Sequence, residues 1–484
     1  MSQIAAIDLG ATSGRVILAT VGRHGLELEQ VARFPNDPVY LWNGHRTAMH
    51  WELPGLFRAA CDGLAEAARQ SPKLVAVAVD SWAVDYGLLR DGRLLGQPYH
   101  YRDDRCLSGV ETVHATVDQP ELYRRNGLQF LPFTTLYQLA AEERLPLADR
   151  ALLIPDLIGY WLTGRQVTER TNASTTGLLG VDGVWDRELC GLLGIPADLF
   201  PDVVDPGTEL GPVLPDLADA LGLDSATSVT TTASHDTASA VVAVPMDATS
   251  AAYISCGTWG LVGVELSSPV LSDAGRQANF TNEVGADGRI RYLHNIMGLW
   301  VLSETIRQFE RDGYRADLIE LLAQAADVPS LFDVFDTADP RFATPGDMPH
   351  RIRAWYDERG LQVPMTRPEL VRVIVESLAA AFAQGVHRAA ELSGVPVRTA
   401  HIVGGGSQNR LLCQLIADRL GMPVYAGPVE ATALGNVLIT ARAHGLVEGD
   451  LEALRHRVAA SFPTQRYVPR PSRRTSRTMT KAAT

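Results

Sequence analysis

The residues with the most chemical content lie near the start of the chain. Asp8 is followed by Gly10, Ala11, Thr12, Ser13, Gly14 and Arg15, with apolar runs on both sides. An acid, a glycine-bracketed hydroxyl turn and a cation between two strands form a hairpin with phosphate chemistry in its turn. Gly10 and Gly14 would let backbone N–H groups reach an anion without side chains in the way. Thr12 and Ser13 add hydroxyl donors, Arg15 a fixed cation, and Asp8 a carboxylate able to orient a hydrated Mg²⁺. Taken alone, Asp8 serves equally well as a turn cap. A looser copy recurs at residues 251–264, with Cys256, Gly257, Thr258, Trp259 and Gly260 at its turn. Thr258 would be a second phosphate clamp, and Cys256 beside it reads as a small packing residue. Two hairpins of one design, one in each half, imply a duplicated fold closing on one nucleotide.

Ser234-His235-Asp236-Thr237 follows a Thr-rich apolar run and opens an apolar helix. Asp236 there could accept a proton from a substrate hydroxyl that attacks a phosphate. The competing reading is a helix cap, for which Ser, Asp and Thr all serve. His235 fits either a sugar hydroxyl or a packed interior. Asp80 and Asp85 flank Trp82 and Ala83 at the end of another apolar run. Strand C-terminal ends are where open α/β sheets bind ligands, and acids beside an aromatic suit a polyhydroxylated substrate. A solvated acid beside a packed Trp is the alternative. Gly404-Gly405-Gly406 joins a strand to a helix and permits close approach of a flat ring or ribose. The run does not match a dinucleotide fingerprint, and no acid follows at the right distance.

One count narrows the classes sharply. The chain has only two lysines, Lys73 and Lys481, neither in a Gly-rich turn. P-loop enzymes and protein kinases need a lysine on the phosphates, so both are excluded. Phosphate handling must rest on arginine, hydroxyls, backbone amides and metal.

The elements that must position these residues follow from periodicity. Strands are expected at 4–9, 15–21 and 26–34, a helix at 53–69, and a buried parallel strand at 74–79. Residues 120–165 read as helical, 228–233 as a strand, 368–393 as a long helix and 399–403 as a strand. An amphipathic helix over 407–420, a short strand at 423–425 and a helix at 431–444 complete the pattern. The fold class is α/β. At 484 residues two domains are expected, with a boundary near 245.

Composition (46% hydrophobic, 20% charged) is that of a soluble globular chain. No basic and apolar leader opens it, and no apolar run reaches membrane-spanning length, so neither a signal peptide nor a membrane is expected. Five scattered cysteines without a C-x-x-C fit a reducing cytoplasm. The net charge of −13 argues against nucleic acid. Residues 467–484 carry four Arg, one Lys and no acid, and read as a disordered basic tail.

At this point the motifs resemble a family, the FGGY carbohydrate kinases, relatives of actin and heat-shock ATPases. The matching segments include AIDLGATSGRV (6–16), VDSWAVDYGLL (79–89), YRDDR (101–105), NGLQFLPFTTLYQL (126–139) and TNASTTGLL (171–179). They continue with ASHDTASAV (233–241), YISCGTWGLVG (253–263), NIMGLW (295–300), HIVGGGSQN (401–409) and AGPVEATALGN (426–436). The resemblance implies two actin-like ribonuclease H-fold domains with an interdomain cleft. Residues 1–244 would carry the sugar side, the first phosphate loop and the base. Residues 245–466 would carry the second phosphate loop and the adenosine site. It implies Mg·ATP-dependent phosphorylation of a small-molecule sugar, L-rhamnulose at its 1-hydroxyl, with Asp236 as general base and Asp8 on Mg²⁺ through water. Ala11 to Arg15, Thr258, Gly404 and Gly405 would bind ATP. Ala83, His235, Asp236, Thr237 and Asn295, with the 80–85 loop, would bind the sugar. A monomer or small homo-oligomer is expected. In one departure, the family carries Gly at the position of Ala83, so a methyl faces the sugar here. That bears on which sugar fits, not on the reaction. Xylulose and fuculose kinases are the near alternatives, and a non-catalytic ATP-driven binding protein of the actin and heat-shock type the distant one.

Overall fold

The computed structural model describes residues 2–22, 25–71, 73–315 and 317–470. Two twisted sheets share one plan. In the N-terminal sheet, Ser2–Leu9 pairs antiparallel with Ser13–Val21, which pairs antiparallel with Leu26–Pro35. On its other side Ser2–Leu9 runs parallel to Leu74–Ser81, and that strand parallel to Ser228–Thr230. In the C-terminal sheet, Ala251–Cys256, Trp259–Leu266 and Ile290–Met297 form the antiparallel meander. Thr399–Val403 and Val424–Ala426 then add in parallel. The two halves therefore repeat one topology, an antiparallel meander followed by parallel strands reached through helices. This is the duplication that the two hairpins imply.

The continuous apolar runs of Ser2–Leu9 and Leu74–Ser81 are buried because helices cover both faces, as parallel pairing requires. Leu53–Gln70 packs Leu56, Ala60, Leu64 and Ala67 on one side of the sheet. On the other side, Asp236–Val242 and Ala431–Ala443, one helix from each half, cross in the seam between the sheets. Their approach depends on Gly435, because a Cβ there would strike the Ser239 carbonyl.

Several sequence expectations need correction. Residues 120–165 are not helical throughout. Arg150–Leu153 is a strand on Tyr86–Arg90, and four apolar-rich residues cannot be told from a helical turn by period. The strand expected to run to 233 ends at Thr230, where Thr231 turns its N–H to Thr208. The helix expected from 407 starts at Arg410, after a 3₁₀ turn at Gly405–Gln408 and an Asn409 cap. Arg367–Ser393 is, among the described residues, the one helix long and apolar enough to cross a membrane, yet 78% of that stretch is buried in the C-terminal core. The stretch expected to be a disordered basic tail is ordered at its start. Gln465–Tyr467 is a strand on Val424–Ala426, and Arg470 pairs with Asp418 at 2.6 Å. Residues 471–484 of the expected tail lie outside the described residues. All five cysteines are buried and free.

Candidate active site

A cavity of about 470 Å³ lies between the two sheets. Both hairpin turns, the start of helix Asp236–Val242, the glycine turn at 404–405 and strand residues Thr281, Glu283 and Asn295 face it. Of the residues expected to bind ATP, sugar or metal, all line it except Gly14 and, in the 80–85 loop, Asp80, Ser81 and Asp85.

The two turns are built alike. Gly10 N–H closes the first by donating to Ser13 O (3.0 Å), and Gly257 N–H closes the second by donating to Trp259 O (2.9 Å). These two amides are therefore spent inside the turns, which leaves the other backbone N–H groups of each turn for an anion. Gly14 is buried, and a Cβ on it would strike the Phe34 ring; Gly260 relates to Phe382 in the same way. These glycines seat an aromatic ring under each turn. What remains toward the cleft is Ala11, Thr12 and Ser13 from one side and Thr258 from the other. Gly404 supplies the third wall with a left-handed backbone (φ 77°) packed on the Cys256 carbonyl.

Charge is concentrated at the first turn. Arg15 Nε and Nη2 donate to one Asp8 oxygen at 2.9 and 2.7 Å. Arg15 also pairs with Glu430 from the other half. Burial opposes the charge on Arg15, but Asp8 and Glu430 outweigh it and raise its pKa. Asp8 is the single cleft carboxylate on this turn, and among the described residues no cluster of three or more His, Cys, Asp or Glu could cage a metal. That donor set fits Mg²⁺, which takes one or two carboxylates and draws its remaining oxygens from phosphate and water.

Asp236 begins its helix at the first helical position, and the cap residue is His235, whose side chain makes no capping bond. The cap reading of Asp236 is thereby removed. Its Oδ1 accepts from Thr237 Oγ1 at 3.0 Å and lies 3.4 Å from His235 Nε2. The side chain keeps 30% exposure. Burial raises its pKa, His235 opposes the shift, and the negative charge of Asp8 adds to it. A carboxylate held above its ordinary pKa is a better proton acceptor.

The loop before it is fixed by residues that sequence reasoning missed. Buried Glu169 accepts from Ser234 N and Oγ at 3.0 and 2.7 Å, and from Thr171 N and Oγ1 at 2.9 and 2.6 Å. From the C-terminal half, fully buried Arg291 reaches His235 Nδ1 and Glu283 Oε2, each at 3.0 Å. Burial would raise the pKa of Glu283, but Arg291 and His235 hold it below the ordinary value. Arg102 lies over the rings of Trp300 (4.9 Å) and of the cleft residue Trp259 (5.6 Å). Nothing in the spacing of these residues marked them. Two lay inside the quoted segments TNASTTGLL and YRDDR or at their edge, without a role.

The 80–85 loop is only partly a site. Trp82 and Ala83 face the cleft. Asp80 does not. It is buried in the seam and accepts from Asn436 Nδ2 at 2.6 Å. Burial and then Asp8 push its carboxyl well above the ordinary range. Asp85 is a structural acceptor. It takes hydrogen bonds from Trp51 Nε1 (2.6 Å), Gln138 Nε2 (2.8 Å), Trp82 Nε1 (3.0 Å) and Tyr101 N (3.2 Å). Burial lifts its pKa to about 6 against these four donors. The acids expected to hold sugar instead hold the scaffold.

A duplicated α/β fold thus encloses a lysine-free cleft between its halves, with Asp236 on one wall and a hydroxyl-bearing turn from each half facing it. The chain belongs to the FGGY family of carbohydrate kinases: the N-terminal domain of that family matches residues 3–243 and the C-terminal domain residues 252–444. ATP is the phosphoryl donor of such a kinase. The chain is 43% identical to the rhamnulokinase of Pectobacterium carotovorum, over 97% of this chain and 94% of that protein. It is 38% identical to the rhamnulokinase of Bacteroides thetaiotaomicron, over 96% and 95%. Among solved structures it resembles a ligand-bound xylulose kinase from Lactobacillus acidophilus (TM-score 0.78, 19% identity, 97% and 94% covered). It also resembles the Plasmodium falciparum glycerol kinase with ADP (TM-score 0.75, 14% identity, 97% and 94% covered). At such identities these structures speak to fold alone.

Proposed function

We propose that this chain transfers the γ-phosphoryl group of ATP to the 1-hydroxyl of L-rhamnulose, giving L-rhamnulose 1-phosphate. The near-full-length likeness to rhamnulokinases supports this sugar over xylulose or fuculose. The observation that carries the chemistry is Asp236: open to the cleft, free of capping duty, raised in pKa, and facing both phosphate turns.

The sugar lies against Ala83, His235, Thr237 and Asn295. Asp236 accepts the proton of the attacking hydroxyl. Thr237 orients the accepting carboxylate through its bond to Oδ1. Thr12, Ser13 and Thr258 hold phosphate oxygens with hydroxyl donors, and Gly404 and Gly405 leave room for the adenosine. Arg15 neutralises transferred charge once it exchanges Asp8 or Glu430 for phosphate. Mg²⁺, when bound with the nucleotide, supplies further charge neutralisation, and Asp8 is the carboxylate that would hold it. Closure of the two halves excludes water, so that the sugar rather than water accepts the phosphoryl group. Five buried free thiols support a reducing compartment, the cytoplasm.

Asp236→Asn tests the assignment. Turnover should fall by about 10²–10⁴-fold, as loss of a general base predicts, while L-rhamnulose still binds in calorimetry. Undiminished phosphorylation by this variant would remove Asp236 from the mechanism.

A further inference from the structure

Two buried polar side chains in the cleft wall have no partner within the protein. Gln129 is 5% exposed, and neither its amide oxygen nor its amide nitrogen makes a hydrogen bond. Thr281 is 1% exposed, and its hydroxyl is equally alone. Both line the cleft. Leaving such groups desolvated and unpaired is costly, and native folds rarely retain them without a ligand or function.

The surroundings show that this corner is built. Gln129 comes from the N-terminal half, in the irregular stretch after helix Gln119–Asn126. Thr281 opens the edge strand Thr281–Val284 of the C-terminal sheet. The two stretches are stapled together on both sides of the pair. Asn282 donates from its backbone N and from Nδ2 to Gly127 O, each at 3.0 Å. Asn279 Oδ1 accepts from Phe130 N at 2.8 Å. Gln129 thus lies between two anchored residues, and Thr281 between the two asparagines that anchor them.

Distance along the strand places the corner relative to the base. Strand alternation puts Thr281 and Glu283 on one face. Glu283 contacts His235, whose Nε2 approaches Asp236. Thr281 lies two residues further along, about 7 Å. That step is roughly the span of a hexose, and Thr281 and Asp236 line the same cleft.

We propose that Gln129 and Thr281 form a sugar-reading corner that hydrogen-bonds the ketose hydroxyls remote from the phosphorylated oxygen and so selects among stereoisomers. This rests on the sugar-kinase reading above. A primary amide offers a donor and an acceptor in one plane, and a threonine hydroxyl offers both, which suits neighbouring hydroxyls of fixed configuration. The corner is made from both halves, and the Asn282–Gly127 and Asn279–Phe130 bonds hold it together. A site whose buried polar groups require a hydroxyl rejects the analogue that misplaces it more strongly than an apolar pocket can.

The test compares L-rhamnulose with L-fuculose, which differs in the configuration of one distal hydroxyl. Gln129→Met keeps volume and removes the amide; Thr281→Val keeps shape and removes the hydroxyl. Gln129→Met should lower kcat/KM for L-rhamnulose by about ten- to a hundredfold, and Thr281→Val by about tenfold. In both, the preference for L-rhamnulose over L-fuculose should shrink by a similar factor, with the KM for ATP at saturating sugar little changed and the ligand-free thermal midpoint equal to or above the native one, since each variant removes an unpaired buried polar group. A preference that stays constant in both variants overturns the proposal, even if kcat/KM falls, because a merely structural role lowers both substrates alike. If the native chain prefers another ketose, L-rhamnulose as substrate is wrong. The same ratio, taken between that ketose and its epimer, then supports or overturns the corner independently.

Discussion

The two halves each send one helix into the seam with an acid at its head, and the fates of these acids differ. Glu430 heads Ala431–Ala443 and pairs with Arg15 across the cleft. Asp236 heads Asp236–Val242 with only a neutral hydroxyl donor and a histidine at longer range, and burial raises its pKa. One acid is neutralised by a guanidinium, and the other is left without one, which suits the proton-accepting role proposed for it. The turns diverge likewise. Both are closed by a glycine amide and seated on a phenylalanine, yet only the first carries the Asp8–Arg15 pair. The second carries Trp259, packed near Arg102. Duplication supplies a symmetric frame, and local charge makes the two walls of the cleft different.

The contrast between the acids gives the largest expected effect. Asp236→Asn should cost about 10²–10⁴-fold in kcat, whereas Glu430→Gln should change kcat by less than about tenfold and act mainly on the KM for ATP. Equal losses in steady-state kinetics would erase the distinction. Gly435 tests the seam they share. Gly435→Ala should cost about 1–3 kcal/mol or more, read as a lowered denaturation midpoint, because the new methyl meets the backbone of Ser239. An unchanged midpoint would mean that the helices do not touch there.

A smaller effect follows from linkage. The folded-state pKa of Asp236 lies above its unfolded value, so ionising it opposes folding. That penalty is fully present above the folded pKa and disappears as pH falls below the unfolded one. Asp236→Asn should therefore raise the thermal midpoint at neutral pH, with the gain vanishing in acid. The native kcat/KM should fall along an acid limb set by the same raised pKa. A variant less stable than the native chain at pH 7 would contradict the burial argument. The smallest effect belongs to Ala83→Gly, which removes one methyl from the sugar wall. Its relative kcat/KM values across ketoses should move by no more than about tenfold.

Much of this was legible in residue order. Gly-hydroxyl-Gly spacing after an acid marks a hairpin turn, and its recurrence at 257–260 announces duplication. Asp236 stood out because a histidine and several cap-forming residues crowd one helix start. The limits were physical as well. Asp80 and Asp85 beside Trp82 look like sugar ligands in one dimension, and only the fold shows Asn436 and four other donors consuming them. Gln129 and Thr281 come from segments 150 residues apart, and a missing partner has no sequence signature. Gly10 and Gly14 are legible as turn residues, but closure of the turn by the Gly10 amide and the packing of Gly14 on the Phe34 ring are visible only in the fold.

The central claim is that this cleft phosphorylates L-rhamnulose. The most direct measurement is ADP release with Mg·ATP and, in parallel, L-rhamnulose, L-fuculose, xylulose or no sugar, followed by location of the phosphate in the product. The expected result is release that depends on sugar, is fastest with L-rhamnulose, and leaves the phosphate on O1. ADP release that is the same with and without every sugar would contradict the account and favour an ATP-driven binding protein.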